Sequence, residues 1–189
     1  MPELYNRYAI QETDELVEVL DDQRRAFMVM ALDQAYRQRL CYQLALTLLY
    51  CPQGSLYIRQ HSKQSPLFPE CWDVSAFTPV RAKEAPVDAA SRSLYDALRV
   101  KPTHCVEIAS ELRTSPHSRH IVTTFVAHAP SQIPAPDSRF IDRLIKVNPS
   151  ELQIILQDFS AQTSPALRYV GEKGLVFKEF QASSSTSLE

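Results

Sequence analysis

The chain has 189 residues and a mass of 21.5 kDa, the size of one domain or of one domain with appendages. Its 20 Lys and Arg against 22 Asp and Glu leave a formal charge of −2, so no basic excess exists to neutralise nucleic-acid phosphates. A hydrophobic fraction of 44% supports a packed core, while 3 glycines, at positions 54, 171 and 174, are too few for a phosphate loop or a dinucleotide fingerprint.

ELVEVL (15–20) and AFMVMA (26–31) are short apolar runs on either side of a charged turn, DDQRR, and predict a β-hairpin. A short helix follows over 33–38, with Asp33 as its cap. Residues 41–50 and 55–59 read as strands joined at Pro52-Gln53-Gly54. The stretch from Ser62 to Pro69 is loop, and Trp72 to Phe77 is expected as one strand. The clearest helix of the first half is 86–98. Pro86 suits its first turn, and Val87, Ala90, Leu94 and Leu98 recur at three- and four-residue spacing as a buried face. Asp88, Arg92 and Asp96 fall on a second, polar face, which is also the pattern of a solvated ion-pair row. Strands are expected at 104–112, 120–128 and 140–147. Asn148-Pro149-Ser150-Glu151 is a helix start with cap, proline and capping-box glutamate. Ser164-Pro165 opens a last helix that Gly171 would close.

The four cysteines, at 41, 51, 71 and 105, lack zinc-knuckle spacing and read as buried thiols in a reducing compartment. The N-terminus has no basic start followed by an apolar core, and the apolar stretch 40–51 is too short to span a bilayer. The expectation is a cytoplasmic protein with neither membrane nor nucleic acid as partner. Residues 1–180 read as one domain and 181–189 as a low-complexity tail. His117 and His120 are the closest histidine pair, without a third metal ligand in view.

The order of elements and the 86–98 helix resemble the Nudix superfamily, whose box reads G-x5-E-x7-R-E-U-x-E-E-x-G-U, with U aliphatic. Glu84 falls on the first glutamate, Arg92 on the arginine, Leu94 and Val100 on the aliphatic positions. Thr78 replaces the opening glycine, Ser93, Asp96 and Ala97 replace three glutamates, and Arg99 replaces the closing glycine. LFPECWD (67–73) is similar to the Pro-Gly-x-Trp-Asp segment of the isopentenyl-diphosphate isomerase-like branch, with Glu70 where glycine is usual. NPSEL (148–152) and SPALRYV (164–170) are similar to that branch's closing helices. The isomerase's own cysteine position, five after Trp72, is Phe77, and its early His-Arg pair is Tyr42-Gln43, so isomerisation is not expected.

The resemblance implies an α/β fold, a Nudix-like α/β/α sandwich with a mixed β-sheet. It implies cleavage of nucleoside diphosphates linked to a further group, with Mg²⁺ or Mn²⁺ held by helix glutamates. Carried over to this sequence, the catalytic positions are Glu84, Arg92 and Asp96, and the metal would be held, weakly, by Asp88 and Asp96. Arg59, Lys63, Trp72 and Asp73 are the implied ligand-binding positions, with basic residues near His61 facing phosphates. Three functions stay open: a Nudix-fold protein with an eroded box that binds a phosphorylated metabolite or nucleotide, a divergent pyrophosphohydrolase, and a protein-interaction module. The sequence sets no oligomeric state.

Overall fold

The computed structural model describes residues 15–65, 68–115 and 118–177. The tail and His117 lie outside these residues, as does Leu67 of the LFPECWD segment. The N-terminal hairpin forms as expected, with β1 (Leu16–Leu20) antiparallel to β2 (Ala26–Ala31) in a small sheet of its own. Helix α1 (Leu32–Arg37) starts one residue earlier than the sequence suggested. Asp33 is therefore no cap; it lies in the first turn, where it suits the helix dipole and pairs with Arg37 at 3.0 Å.

Among the described residues the large sheet has seven strands. β3 (Tyr42–Tyr50) runs parallel to β8 (Arg119–His128), which pairs antiparallel with β7 (Cys105–Thr114). Being covered on both faces, β3 is apolar almost throughout, as a central strand requires. β4 (Leu56–His61) pairs antiparallel with β9 (Ile141–Val147). The predicted single strand 72–77 is instead two pieces, β5 (Trp72–Asp73) and β6 (Ala76–Pro79). β5 pairs with β4, and β6 with β3. β3 and β4 pair only at Leu49–Tyr50 with Leu56–Tyr57, then diverge, and the chain bends at Val74-Ser75 to follow each in turn. At the fork the Ser75 hydroxyl accepts from Leu49 N–H (2.8 Å) and donates to Tyr57 C=O (2.6 Å), satisfying backbone groups that the ladder leaves unpaired.

Helix α2 (Pro86–Leu98) matches its predicted span. It packs on one face of the sheet, with Leu94 and Leu98 against Leu49, Tyr57 and Ala127, and Ala89 and Ala90 against Ala45 and Phe125. The buried stripe is rotated from the expected one: Ala89 is inside while Val87 is 39% exposed. α3 (Pro149–Asp158) carries the full capping box, Asn148 Oδ1 accepting from Glu151 N–H and Glu151 Oε2 from Asn148 N–H. α4 (Pro165–Glu172) is capped by Ser164. Gly171 does not close α4; the helix runs through it and its Cα approaches Leu156 so closely that a Cβ would lie 2.5 Å from that side chain. Leu152 of α3, Leu167 and Val170 of α4 and Ala35 of α1 cover the opposite face with Leu44, Leu46, Leu48 and Ile58. All four cysteines are free thiols; Cys41 and Cys51 are buried, while Cys71 and Cys105 are partly exposed. No helix among the described residues is long and apolar enough to cross a membrane.

Candidate functional site

Strand alternation divides β4 between two environments. Leu56 and Ile58 enter the core beneath α4, whereas Arg59 and His61 point to the α2 side. There the fork between β3 and β4 leaves a cleft of about 350 Å³. Its walls are Ser93, Asp96, Ala97 and Arg99 of α2 and its C-cap, Phe77 and Thr78 of β6, Arg59 and His61. Ser65 and the segment that includes Asp137 and Arg139–Ile141 complete it.

The entry into α2 is clamped. Arg92 Nε and Nη2 donate to the two oxygens of Glu84 at 2.7 and 2.8 Å; Nη2 also donates to Pro79 C=O (3.0 Å) and Nη1 to Thr78 Oγ1 (3.3 Å). Glu84 Oε2 accepts in addition from Arg81 N–H at 2.9 Å. The same loop leans on the hairpin, where Ala82 N–H donates to Leu16 C=O and Lys83 N–H to Glu18. Arg92 is thus half-buried rather than part of an exposed polar row, and its contact to Asp96 is a long 3.9 Å. Burial raises the Glu84 carboxyl, but hydrogen bonds from Arg92 and Arg81 and the Arg92 charge outweigh it and hold the group below its ordinary range. Glu84→Gln removes a bidentate, charge-assisted pair and is expected to cost roughly 1–3 kcal/mol. A lower urea midpoint at unchanged slope is the readout.

Under the cleft lies a buried charge. Asp73 Oδ2 accepts from His61 Nε2 at 2.9 Å and lies 3.5 Å from an Arg59 nitrogen, while Oδ1 accepts from Val74 N–H and the Ser164 hydroxyl. Burial alone would raise this carboxyl; the His61 hydrogen bond and charge, Arg59 and Ser164 together hold it at about 2. Arg59 Nε is itself buried without a partner among the described residues.

The implied residues therefore separate. Arg59 and Asp96 line the cleft, and Asp73 supports its floor through His61 and Arg59. Glu84 and Arg92 bind each other behind it. Asp88 is exposed in the first turn of α2, away from the lining residues. Lys63 is 83% exposed and pairs with Glu70 on the surface. Trp72 packs against the core of the opposite face. Arg139, and Ser65 beside His61, are cleft residues that sequence reasoning passed over and only their approach in space reveals; Arg99, singled out in the sequence as the replacement for the closing glycine of the box, joins them. His120 stands apart: it is buried against the Tyr42 ring, 4.5 Å between centroids, and burial lowers it to about 4.

Among the described residues no three His, Cys, Asp or Glu side chains meet as a metal-binding group. On the α2 wall only Asp96 is a carboxylate, and the Ser93 hydroxyl is spent on its own helix, donating to Ala90 C=O at 2.8 Å. This donor set does not suit the oxygen-rich octahedral shell of Mg²⁺.

Comparison with solved structures identifies the architecture. The Deinococcus radiodurans protein DR0079 superposes with a TM-score of 0.61 at 20% identity, over 79% of this chain and 91% of that one. A MutT protein from Methanosarcina mazei Go1 gives 0.53 at 12% identity, over 71% and 95%. The fold is a Nudix-like α/β/α sandwich built on a mixed sheet. No family model and no curated protein matches the sequence.

Proposed function

We propose that the cleft binds a phosphorylated metabolite or nucleotide and that the chain hydrolyses nucleoside diphosphate-X compounds little or not at all. On this reading the chain is a divergent relative of the isopentenyl-diphosphate isomerase-like branch, with an eroded box at 78–100. The observation that carries it is the composition of one cleft. α2 turns positions 93, 96 and 97 toward it with a single carboxylate among them, while Arg99 supplies positive charge and Arg59 and Arg139 add guanidinium groups that Asp73 and Asp137 already pair. Guanidinium groups match phosphate oxygens in geometry and charge, and Phe77 and Phe140 give the remainder of a ligand an apolar wall.

Calorimetry with inorganic pyrophosphate is expected to show binding that weakens about tenfold, near 1.4 kcal/mol, in Arg99→Asn. Asparagine tolerates the left-handed backbone that Arg99 adopts (φ 58°), so this variant removes charge while keeping the helix end. A nucleoside diphosphate-X panel with Mg²⁺ should show negligible turnover. Robust Mg²⁺-stimulated turnover that disappears in Asp96→Ala would instead establish the pyrophosphohydrolase.

A further inference from the structure

We infer that Ser65, His61 and Asp73 form a nucleophile-activating relay at the wall of the cleft, directed at carboxylic esters of anionic molecules. His61 Nε2 lies 2.9 Å from Asp73 Oδ2, and His61 Nδ1 lies 3.2 Å from Ser65 Oγ. In the neutral form of the ring, the anionic Asp73 selects the tautomer whose Nε2–H donates to the carboxylate, which leaves the Nδ1 lone pair facing the serine hydroxyl. That is the nucleophile–base–orienter order of serine hydrolases, with the two ring nitrogens exchanged. Asp73 and His61 are buried, so neither the orienting bond nor the ring position is shared with solvent. Ser65 and His61 both line the cleft. The third member is held by parts unconnected with the relay: Val74 N–H and Ser164 fix Asp73, and Arg59 lies against it.

In the forward step Ser65 Oγ attacks the ester carbonyl carbon while its proton passes to His61 Nδ1. The carbon–alkoxide bond breaks, the alcohol leaves with that proton, and the acyl group remains on Ser65. Water then attacks the acyl carbon, gives a proton to Nδ1, and Ser65 Oγ recovers it as it departs. The sum is ester plus water giving acid plus alcohol. Arg59 on the same wall is placed to hold an anionic group of the substrate. This preference for anionic esters rests on the cleft reading above; the activation of Ser65 does not.

The test uses the full chain with a fluorophosphonate probe and p-nitrophenyl acetate, followed by intact mass and peptide mapping. One adduct on Ser65 and an acetyl-enzyme burst are expected. Both should vanish in Ser65→Ala and fall at least 100-fold in His61→Gln, which keeps an N–H for Asp73 but offers no base. If His61→Gln fails to fold, Ser65→Cys replaces it: iodoacetamide should alkylate that thiol far faster than the parent's own cysteines. No adduct on Ser65 of the folded parent, or equal labelling of Ser65→Ala, overturns the relay. Pyrophosphate binding by Ser65→Ala is measured alongside. Binding without parent labelling removes the relay alone, and labelling without binding sustains the relay while removing the anionic-substrate reading.

Discussion

Replacing Ser93, Asp96 and Ala97 together by glutamate is expected to raise Mg²⁺ and Mn²⁺ affinity at least about tenfold over the parent, close to 1.4 kcal/mol of binding free energy. All three positions line one cleft, and spacing of i, i+3 and i+4 on α2 would gather three carboxylates on one side of a helix. Glutamate suits a helix interior, so the backbone has little reason to object. The cost falls on position 93, where Ser93 is buried and hydrogen-bonded to Ala90 C=O; the longer side chain must leave that site for the opening. Crowded carboxylates also repel one another until a cation neutralises them, so stability should fall without metal and recover with it. Calorimetry and melting curves with and without Mn²⁺ read both effects. A folded variant with parental metal affinity would mean that the cleft is not the equivalent of a metal-binding one.

The largest stability effect is expected at Asp73. Asp73→Ala leaves Arg59 and His61 beneath the cleft without their anionic partner, and breaking a buried pair in this way costs about 3–5 kcal/mol. For a chain of this size that corresponds to a melting temperature lower by roughly 6–20 °C. The pH dependence has a definite sign. The folded-state value of about 2 lies below the ordinary 3.8, so the stabilisation is complete above pH 3.8 and is lost as pH falls through about 2. The gap is worth on the order of 2 kcal/mol. Acid unfolding of the parent should therefore steepen in that window, and the Asp73→Ala profile should be flatter there.

Much of the architecture was legible because it rests on local signals. The span of the helix at 86–98 and the capping-box start at Asn148 agree with the sequence reading, since proline and asparagine signals act within one or two turns. What failed had long-range causes. The break between β5 and β6 follows from the divergence of β3 and β4, which no property of residues 72–77 announces. Arg92 is half-buried because Glu84, eight residues earlier, folds back onto it. Gly171 suggested a helix end, but its missing side chain serves the approach of Leu156. Two turns keep a glycine-like backbone without glycine. Glu70 and Arg99, where the Nudix resemblance expects glycine, keep the left-handed backbone with φ of 62° and 58°. Each costs on the order of 1 kcal/mol relative to glycine, and the neighbouring structure must hold it there. Of the candidate site, Arg59, Asp73 and Asp96 were within reach of sequence comparison. Ser65 was not, because a serine four residues after a histidine carries no signal until the loop folds it back onto the ring.

The parallel pairing of β3 with β8 has a consequence for synthesis. Tyr42 lies opposite His120, so the central strand meets this neighbour only after 78 further residues have been made. At ribosomal rates of about 5–20 residues per second, β3 waits roughly 4–16 s for it. During that interval β4 and β6 can pair with β3, but its long edge toward β8 stays open and strongly apolar. Such an interval invites chaperone capture of the nascent chain, and it makes the order in which strands leave the ribosome as decisive for yield as the stability of the finished sheet.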